Sequence, residues 1–337
     1  MRLWHNFNMK NAARAGVILC AVVAAACGGS NPGPGPGPTA NPPQITCPAD
    51  VSQREVPVAS LEVTYPAPTT TGGTAPVTVT CNPASGARFT LGTTTVACAA
   101  LDARLREATC SFRVTLTGFT LGAKKFVAMG DSLTEGENGR PSIVDAANAY
   151  PTKLQALLQT LYPDQGITVI NRGVGSTTAE QMRDAVRGIV QLEKPDALLL
   201  MSGYNNLFIS CRFGEGTTAA CGRATEDVEF AIRDSIRRAK EAGMAAKVVF
   251  VSTLVPPGPT GSRRIDADAI VEANRKIRRR VAEEGATLVD SHPLFQGREA
   301  EFVSPDGLHL NPPGYQAIAD AYFNAIRLTI PQIPQLR

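Results

Sequence analysis

The chain has 337 residues, a length that favours two domains over one small core. Its content of 43% hydrophobic and 19% charged residues is that of an ordinary globular protein. The formal net charge of +3 comes from three basic residues near the N-terminus, and the remaining 30 Lys and Arg balance 30 Asp and Glu. A neutral body lacks the clustered positive charge that collects phosphates, so the composition argues against a nucleic-acid partner.

The first 27 residues have the organisation of a secretory signal. Basic residues precede an apolar stretch, 15–26, which is shorter than the ~20 residues that a membrane-spanning helix needs. Translation begins either at Met1 or at Met9, and the sequence does not distinguish the two. The stretch ends at Cys27 and resembles a bacterial lipoprotein cleavage site, although Ala24 stands where Leu is usual. We expect an exported protein of the periplasm or cell surface, anchored in a membrane by a lipid on Cys27; plain secretion with an incidental Cys27 is the alternative.

Residues 28–43 form a predicted linker. Pro and Gly alternate in residues 31–43, a composition that cannot form a packed core and predicts a partly extended tether. Of the 8 Cys, Cys20 and Cys27 precede this tether. The other six are an even number in an exported chain and predict disulfides: Cys47, Cys81, Cys98, Cys110, Cys211 and Cys221. Metal binding is the alternative, but the spacings are wide and no His accompanies the first four. We expect two disulfides in the first domain and a local one in the second.

Residues 44–118 form the first predicted domain. Short β-rich runs separated by Pro and Gly turns predict an all-β sandwich; the runs are 61–65, 77–80, 93–97 and 112–117. The segment resembles a hyalin-repeat (HYR) module, an immunoglobulin-like extracellular domain, although Leu105 and Arg106 replace the usual Gly-Asn before the last Cys. It contains no His and no catalytic arrangement, so we expect a spacer or adhesion role. Of three possible connectivities we favour Cys81 with Cys98 and Cys47 with Cys110, because first and last strands of such sandwiches run side by side.

Residues 119–330 form the second predicted domain, followed by a tail, 331–337. Apolar runs that predict buried strands are 126–129, 167–170, 197–201, 248–254 and 288–290. Helical patterns lie between or after them at 150–161, 178–190, 225–242, 268–284 and 313–328. This alternation predicts a parallel sheet covered by helices on both faces. In such sheets the functional loops follow the carboxyl ends of the strands.

Four loops at or near those strand ends carry unusual polar residues. They are 130–136 (GDSLTEG), 171–178 (NRGVGSTT), 203–206 (GYNN) and 306–312 (DGLHLNP). In this order and spacing they resemble the blocks of the SGNH or GDSL hydrolases, a family of serine esterases and lipases, from about residue 125 to residue 328. The resemblance implies a flavodoxin-like fold, a three-layer doubly wound parallel sheet.

The side-chain chemistry agrees with this resemblance. A Ser hydroxyl needs a positioned base to attack an ester, and the predicted mature chain has two imidazoles, His292 and His309. Asp306 stands three residues before His309, a spacing that lets its carboxylate reach Nδ1 and leave Nε2 free for Ser132. We therefore predict Ser132, His309 and Asp306 as a catalytic triad. We interpret His292, at a strand end, as a loop-capping residue rather than a catalytic one.

The developing oxyanion of ester hydrolysis needs hydrogen-bond donors. The resemblance implies three: the Ser132 N–H, a backbone N–H of the second loop, and the Asn205 side-chain amide. The usual Gly of the second loop falls on Ser176 and the nearest Gly is Gly175, so both are candidates for the second donor. Asn206 stands where the family often has Asp, and we expect this change to weaken the hydrogen bonding that holds its loop.

Two other patterns have a simpler interpretation. Gly173 and Gly175 after a strand suggest a dinucleotide site, but Thr178 occupies the position of its third Gly, which argues against NAD. Asp266 and Asp268 are possible metal ligands, yet they stand where a helix begins and are better explained as capping residues. The predicted reaction requires no metal or organic cofactor.

The sequence thus predicts a serine ester hydrolase that forms an acyl-enzyme on Ser132 and takes a small-molecule, lipid or carbohydrate ester. A carbohydrate O-deacetylase of the same family is one alternative. A non-enzymatic surface-binding protein with a remnant hydrolase fold is another, although the intact triad argues against it. A Cys211–Cys221 bridge is expected to hold a rim of the substrate pocket, whose walls we place in the loops 135–148 and 206–224. The sequence indicates no oligomeric state.

Overall fold

The structure, a computed structural model, describes residues 41–54, 56, 58–139, 143–214 and 218–334. The predicted signal segment, the lipid site at Cys27 and most of the predicted tether lie outside these residues. Within the described ranges, no helix has the length and apolar character needed to cross a membrane. The described part begins just before the first predicted domain.

Alternating buried and exposed side chains make the first domain a set of short strands around a small core. The strands are β1 (Gln44–Thr46), β2 (Val51–Gln53), β3 (Ser60–Glu62), β4 (Thr69–Thr71), β5 (Thr78–Asn82), β6 (Arg88–Thr90), β7 (Gly92–Leu101) and β8 (Glu107–Leu116). β2, β8, β7 and β5 form one sheet in that order, while β1 pairs with β4 and β3 with β6. The prediction of a small all-β module is confirmed.

Two disulfides cross-link this module. Cys81 on β5 and Cys98 on β7 are register partners and are bonded to each other. Cys47, which follows β1, is bonded to Cys110 on β8. These are the two pairings favoured from the sequence.

A five-stranded parallel sheet forms the centre of the second domain. After the short strand β9 (Phe119–Leu121), its strands are β10 (Lys125–Gly130), β11 (Thr168–Gly173), β12 (Ala197–Met201), β13 (Val249–Ser252) and β14 (Thr287–Val289). They are ordered β11, β10, β12, β13, β14, and every neighbouring pair is parallel. This is the flavodoxin-like order, which confirms the predicted fold class.

Helices cover both faces of the sheet. They are α1 (Ser132–Glu135), α2 (Tyr150–Leu161), α3 (Ala179–Glu193), α4 (Tyr204–Ser210), α5 (Thr218–Glu241), α6 (Ala267–Glu284), α7 (His292–Phe295), α8 (Glu299–Phe302) and α9 (Pro312–Thr329). α2 packs against α9, and the rings of Tyr150 and Tyr322 stack between them at 5.1 Å. α5 packs against α3 and α6. Each layer buries the apolar stripe that its helices present to the sheet.

The third disulfide joins Cys211 to Cys221, as the sequence predicted. Helix α5 begins seven residues before the predicted start at residue 225, so Cys221 lies on a helix and not in a loop. The bond therefore ties the end of α4 to the first turns of α5. Three disulfides among the described residues indicate a protein that folds in an oxidising compartment.

The segment predicted as a C-terminal tail forms a strand instead. β15 (Gln332–Pro334) pairs antiparallel with β9, and the Thr120 hydroxyl donates to the Ile333 carbonyl oxygen at 3.1 Å. The sequence did not show this because the pairing joins two three-residue strands from opposite ends of the domain. The two ends of the domain are thus held together.

Candidate active site

The carboxyl ends of the central strands place the predicted site residues at one edge of the sheet. Ser132 begins α1 directly after β10, and Asp131 caps that helix. Two glycines allow the tight approach of this turn to its neighbours. A Cβ on Gly130 would lie 2.1 Å from a carbonyl oxygen of β12, and one on Gly173 would lie 2.3 Å from the Glu135 nitrogen. A side chain at either position would force the turn or its neighbours to shift.

Ser132, His309 and Asp306 form a continuous chain of hydrogen bonds. Ser132 Oγ lies 2.9 Å from His309 Nε2, and His309 Nδ1 lies 2.6 Å from Asp306 Oδ2. Ser132 and His309 are 5% and 1% exposed. The fold thus brings together the three residues that the sequence singled out, in a site with little bulk water. Such an arrangement can raise the nucleophilicity of a Ser hydroxyl.

The loop that carries Asp306 and His309 is stabilised by its own backbone. Asp306 Oδ1 accepts the N–H groups of Leu308 and His309, both at 3.0 Å. Gly307, which follows Asp306, has φ +86°, and a Cβ there would lie 2.4 Å from the Thr260 carbonyl oxygen. Burial favours the neutral form of Asp306, but hydrogen bonds from His309 and from these backbone groups outweigh it and hold the pKa of this carboxyl below its usual range. Asp306 is therefore an anionic partner for the imidazole.

The loop after β11 has one backbone N–H that the fold does not use. Gly175, where a Cβ would lie 4.0 Å from Ser132 Cβ, donates its N–H to Glu135 Oε2 at 2.7 Å. Ser176 has φ +63°, the left-handed conformation that Gly adopts most readily. No acceptor in the described part of the chain takes the Ser176 N–H. Of the two candidates, Ser176 has the backbone shape of the expected Gly and an available donor.

The two Asn residues at the start of α4 bind different partners. Asn205 Nδ2 donates to the Thr177 carbonyl oxygen at 2.9 Å, which leaves its second amide hydrogen available. Asn206 Oδ1 accepts the Ala179 N–H at 2.9 Å, and its Nδ2 donates to the Glu180 carboxylate. The Asn206 amide thus uses both its oxygen and its nitrogen to join α4 to the first turn of α3, whereas a carboxylate could not donate to Glu180.

We expect Asn205→Ala to lower kcat by about 100- to 1,000-fold with a smaller change in KM, because an oxyanion donor acts mainly in the transition state. Steady-state hydrolysis of p-nitrophenyl acetate measures both constants. Asn324→Ala, which removes an exposed amide on α9, is the control and should stay near wild type. A kcat within threefold of wild type in Asn205→Ala would exclude this role.

Asp131 is a fully buried carboxyl next to the nucleophile. Its Oδ1 accepts the Leu133 N–H at 3.1 Å. Burial raises the pKa of Asp131 to about 7, although the backbone N–H groups of Leu133, Tyr204 and Gly203 and the charge of His309 act in the opposite direction. Asp131 therefore holds its proton in the native state at pH values where the unfolded chain has lost it.

This difference predicts a pH-dependent stability. Between the unfolded pKa of 3.8 and the native value of about 7, the native state binds the extra proton, so its stability falls as the pH rises. The contribution amounts to roughly 4 kcal/mol across this window. The Asp131→Asn variant should lack this pH-dependent contribution to stability, whereas the control variant Asp320→Asn, at an exposed position, should keep it. Urea unfolding at pH 4 and pH 7.5 tests this, and equal pH dependence in Asp131→Asn and wild type would refute it.

Asp266 has the capping role predicted for it, whereas His292 contacts its surroundings through its backbone N–H. His292 begins α7 and donates its backbone N–H to Thr253 Oγ1 at 3.0 Å; burial lowers the pKa of its imidazole. Asp266 caps α6 by accepting the N–H groups of Asp268 and Ala269. No group of potential metal ligands occurs among the described residues.

A further acidic residue, Glu137, touches the site and was not singled out from the sequence. Its Oε2 lies 2.6 Å from His309 Nε2, the nitrogen that also faces Ser132. Glu137 belongs to the loop 135–148 that was predicted as a pocket wall, but nothing in the local sequence distinguishes it from neighbouring acidic residues. Only the folded loop shows the contact.

Comparison with known proteins agrees with this architecture. The profile of the GDSL-like lipase/acylhydrolase family matches residues 128–317, which include the whole hydrogen-bonded chain. The HYR domain profile matches residues 39–116. A curated relative, an acetylxylan esterase of Geobacillus stearothermophilus, is 30% identical over 89 residues, which span 25% of this chain and 41% of that protein.

Two solved structures are among those to which the chain is similar. A lipase/acylhydrolase from Enterococcus faecalis is 20% identical and has a TM-score of 0.49, with coverage of 64% of this chain and 100% of that one. LAE5, an alpha/beta hydrolase enzyme from the metagenome of Lake Arreo, Spain, is also 20% identical, with a TM-score of 0.48 and coverage of 62% and 97%.

Proposed function

Because the chain belongs to the GDSL-like lipase/acylhydrolase family, whose members act on ester bonds, we propose that it hydrolyses carboxylic esters through an acyl-enzyme on Ser132. The observation that supports this most strongly is the unbroken contact from Ser132 Oγ through His309 to Asp306, at 2.9 Å and 2.6 Å. No rearrangement of the backbone is needed to align these groups.

In the proposed reaction Ser132 Oγ attacks the ester carbonyl carbon while His309 Nε2 takes the hydroxyl proton. Asp306 holds the imidazole by Nδ1 and stabilises the imidazolium. The tetrahedral intermediate collapses, the ester C–O bond breaks, and Nε2 returns the proton to the leaving alcohol oxygen. A water molecule then attacks the acyl-enzyme with the same imidazole as base, which releases the acid and restores Ser132.

Three donors are proposed for the oxyanion of the intermediate. They are the N–H of Ser132 at the start of α1, the N–H of Ser176, and the free amide hydrogen of Asn205. The first two have no acceptor within the described residues, and all three belong to loops at the same sheet edge. Gly175 is not retained as a donor, because its N–H is bonded to Glu135.

We also propose an exported location with a lipid on Cys27. The three disulfides support the oxidising compartment, and the sequence around Cys27 supports the anchor. The HYR module would then act as a spacer or adhesion domain between the anchor and the hydrolase.

A carbohydrate acetyl ester is the second candidate substrate. It is favoured by the acetylxylan esterase among the relatives, which matches over 89 residues, and by an extracellular-type module on the same chain. Hydrolysis of p-nitrophenyl acetate, butyrate and decanoate, compared with acetate release from acetylated xylan, tests both candidates. A rate that falls with acyl length together with acetate release supports the deacetylase; the highest rate on decanoate supports a lipase. No hydrolysis of any ester by the folded protein would overturn the proposed function.

A further inference from the structure

The carboxylate of Glu137 contacts His309 Nε2, the nitrogen that must accept the hydroxyl proton of Ser132 in the proposed reaction. Glu137 Oε2 lies 2.6 Å from His309 Nε2, and Ser132 Oγ lies 2.9 Å from the same atom. An ionised carboxylate only accepts hydrogen bonds, so this contact requires a proton on Nε2. While that contact lasts, Nε2 cannot take the proton of Ser132. The carboxylate of Glu137 must therefore leave Nε2 before the proposed reaction begins.

The backbone of Glu137 keeps the side chain beside the site. Its N–H donates to the Ser132 carbonyl oxygen at 3.0 Å, and its carbonyl oxygen accepts the Tyr315 hydroxyl. A β-bridge to Val144 holds the residue from the other side. The side chain is 19% exposed, and Arg263 Nη1 lies 3.9 Å from Oε2. Because the backbone of Glu137 is held in this way, the carboxylate can leave Nε2 only by rotation of the side chain.

The leaving alcohol enters the space that this carboxylate borders, since its oxygen must reach Nε2 to receive the proton. We propose that Glu137 recognises the alcohol part of the substrate. Its carboxylate gives up the hydrogen bond from His309 Nε2 and accepts one from a hydroxyl group next to the esterified oxygen of the substrate. This selects esters of neutral polyhydroxy alcohols such as sugars. An apolar alcohol offers the largely buried carboxylate no donor, and an anionic alcohol repels it. The inference rests on the proposed function and names the alcohol that the site selects.

A matched pair of esters tests this role. trans-2-Hydroxycyclohexyl acetate and cyclohexyl acetate have the same acyl group and ring and differ by one hydroxyl beside the ester oxygen. We expect wild type to prefer the hydroxylated ester about tenfold or more in kcat/KM, the effect of one charge-assisted hydrogen bond. Glu137→Ala should bring that ratio close to one by lowering kcat/KM for the hydroxylated ester more than for the cyclohexyl ester, because the acceptor of the extra hydroxyl group is lost. Glu137→Gln should give an intermediate ratio.

Glu301→Gln is the control, because it removes a carboxylate that is 53% exposed and paired with Arg298 on the surface; its ratio should equal that of wild type. A wild-type ratio near one, or an equal loss on both esters in Glu137→Ala, would overturn the role of Glu137 in recognition. Hydrolysis of p-nitrophenyl acetate separates a failure of this inference from a failure of the proposed function. If wild type hydrolyses it while the ratio is near one, the inference on Glu137 alone fails; if folded wild type hydrolyses neither it nor any other ester, the proposed function fails and this inference with it.

Discussion

Ser132→Ala is expected to lower kcat for p-nitrophenyl acetate by about 10,000-fold or more, because no other hydroxyl is in contact with His309 Nε2 among the described residues. The loss should appear in kcat rather than in KM, since the Ser hydroxyl contributes to bond formation more than to substrate binding. Removal of one buried hydroxyl leaves the core side chains in place, so the fold should persist.

Ser202→Ala is the matched control for that prediction. Ser202 is also buried, follows β12 at the same sheet edge, and its hydroxyl has no hydrogen-bond partner in the described ranges. Its removal should change kcat by less than threefold. Comparable losses in the two variants would show that the effect is structural and would contradict the assignment of Ser132.

Asp306→Asn should lower kcat by about 10,000-fold while the loop keeps its shape. Asn retains an Oδ1 that accepts the N–H groups of Leu308 and His309, but its Nδ2 donates to Nδ1 of the imidazole where Asp306 accepts. The imidazole proton then moves to Nε2, which can no longer take the proton of Ser132. The measurement is kcat across pH 6 to 9, with thermal unfolding to check the fold.

Asp266→Asn provides the comparison for the capping function alone. Asp266 accepts two backbone N–H groups through one oxygen, as Asp306 does, but it caps α6 and has no hydrogen bond to a His among the residues that the structure describes. Its substitution should leave kcat near wild type. A loss below tenfold in Asp306→Asn would mean that the carboxylate does not control the imidazole tautomer.

The core of the fold was predictable because buried parallel strands are nearly continuous apolar runs. β12 was predicted at 197–201 and has those bounds, with every residue buried. β13 was predicted at 248–254 but ends at Ser252, because the Asn274 side chain binds both the N–H and the carbonyl oxygen of Leu254 and draws the chain out of the sheet. A local apolar pattern does not show such a competitor from a distant helix.

The site was predictable to the extent that it depends on residue type and spacing. Asp306 and His309 lie three residues apart, so one turn decides their contact, and the Ser of the first block has one obvious base. Backbone conformation was not predictable in the same way. The choice between Gly175 and Ser176 depended on the φ angle of Ser176 and on the Glu135 side chain that takes the Gly175 N–H.

The contact between Glu137 and His309 could not be predicted from residue spacing in the sequence. Its carboxylate reaches His309 from a different loop, and that loop is positioned by the Tyr315 hydroxyl on α9 and by the start of α1. No short motif encodes a contact that depends on three elements. The same holds for β15, whose pairing with β9 joins the two ends of the domain.

Covalent labelling by a fluorophosphonate probe tests the central claim most directly, because the probe reacts with a Ser hydroxyl that an adjacent base has activated. Mass spectrometry of the digested protein should find the phosphonyl group on the peptide that contains Ser132, and Ser132→Ala should show no labelling. Folded wild-type protein that stays unlabelled would contradict the account and favour a surface-binding protein with a remnant hydrolase fold. A label that persists in Ser132→Ala would contradict the assignment of Ser132 as the nucleophile.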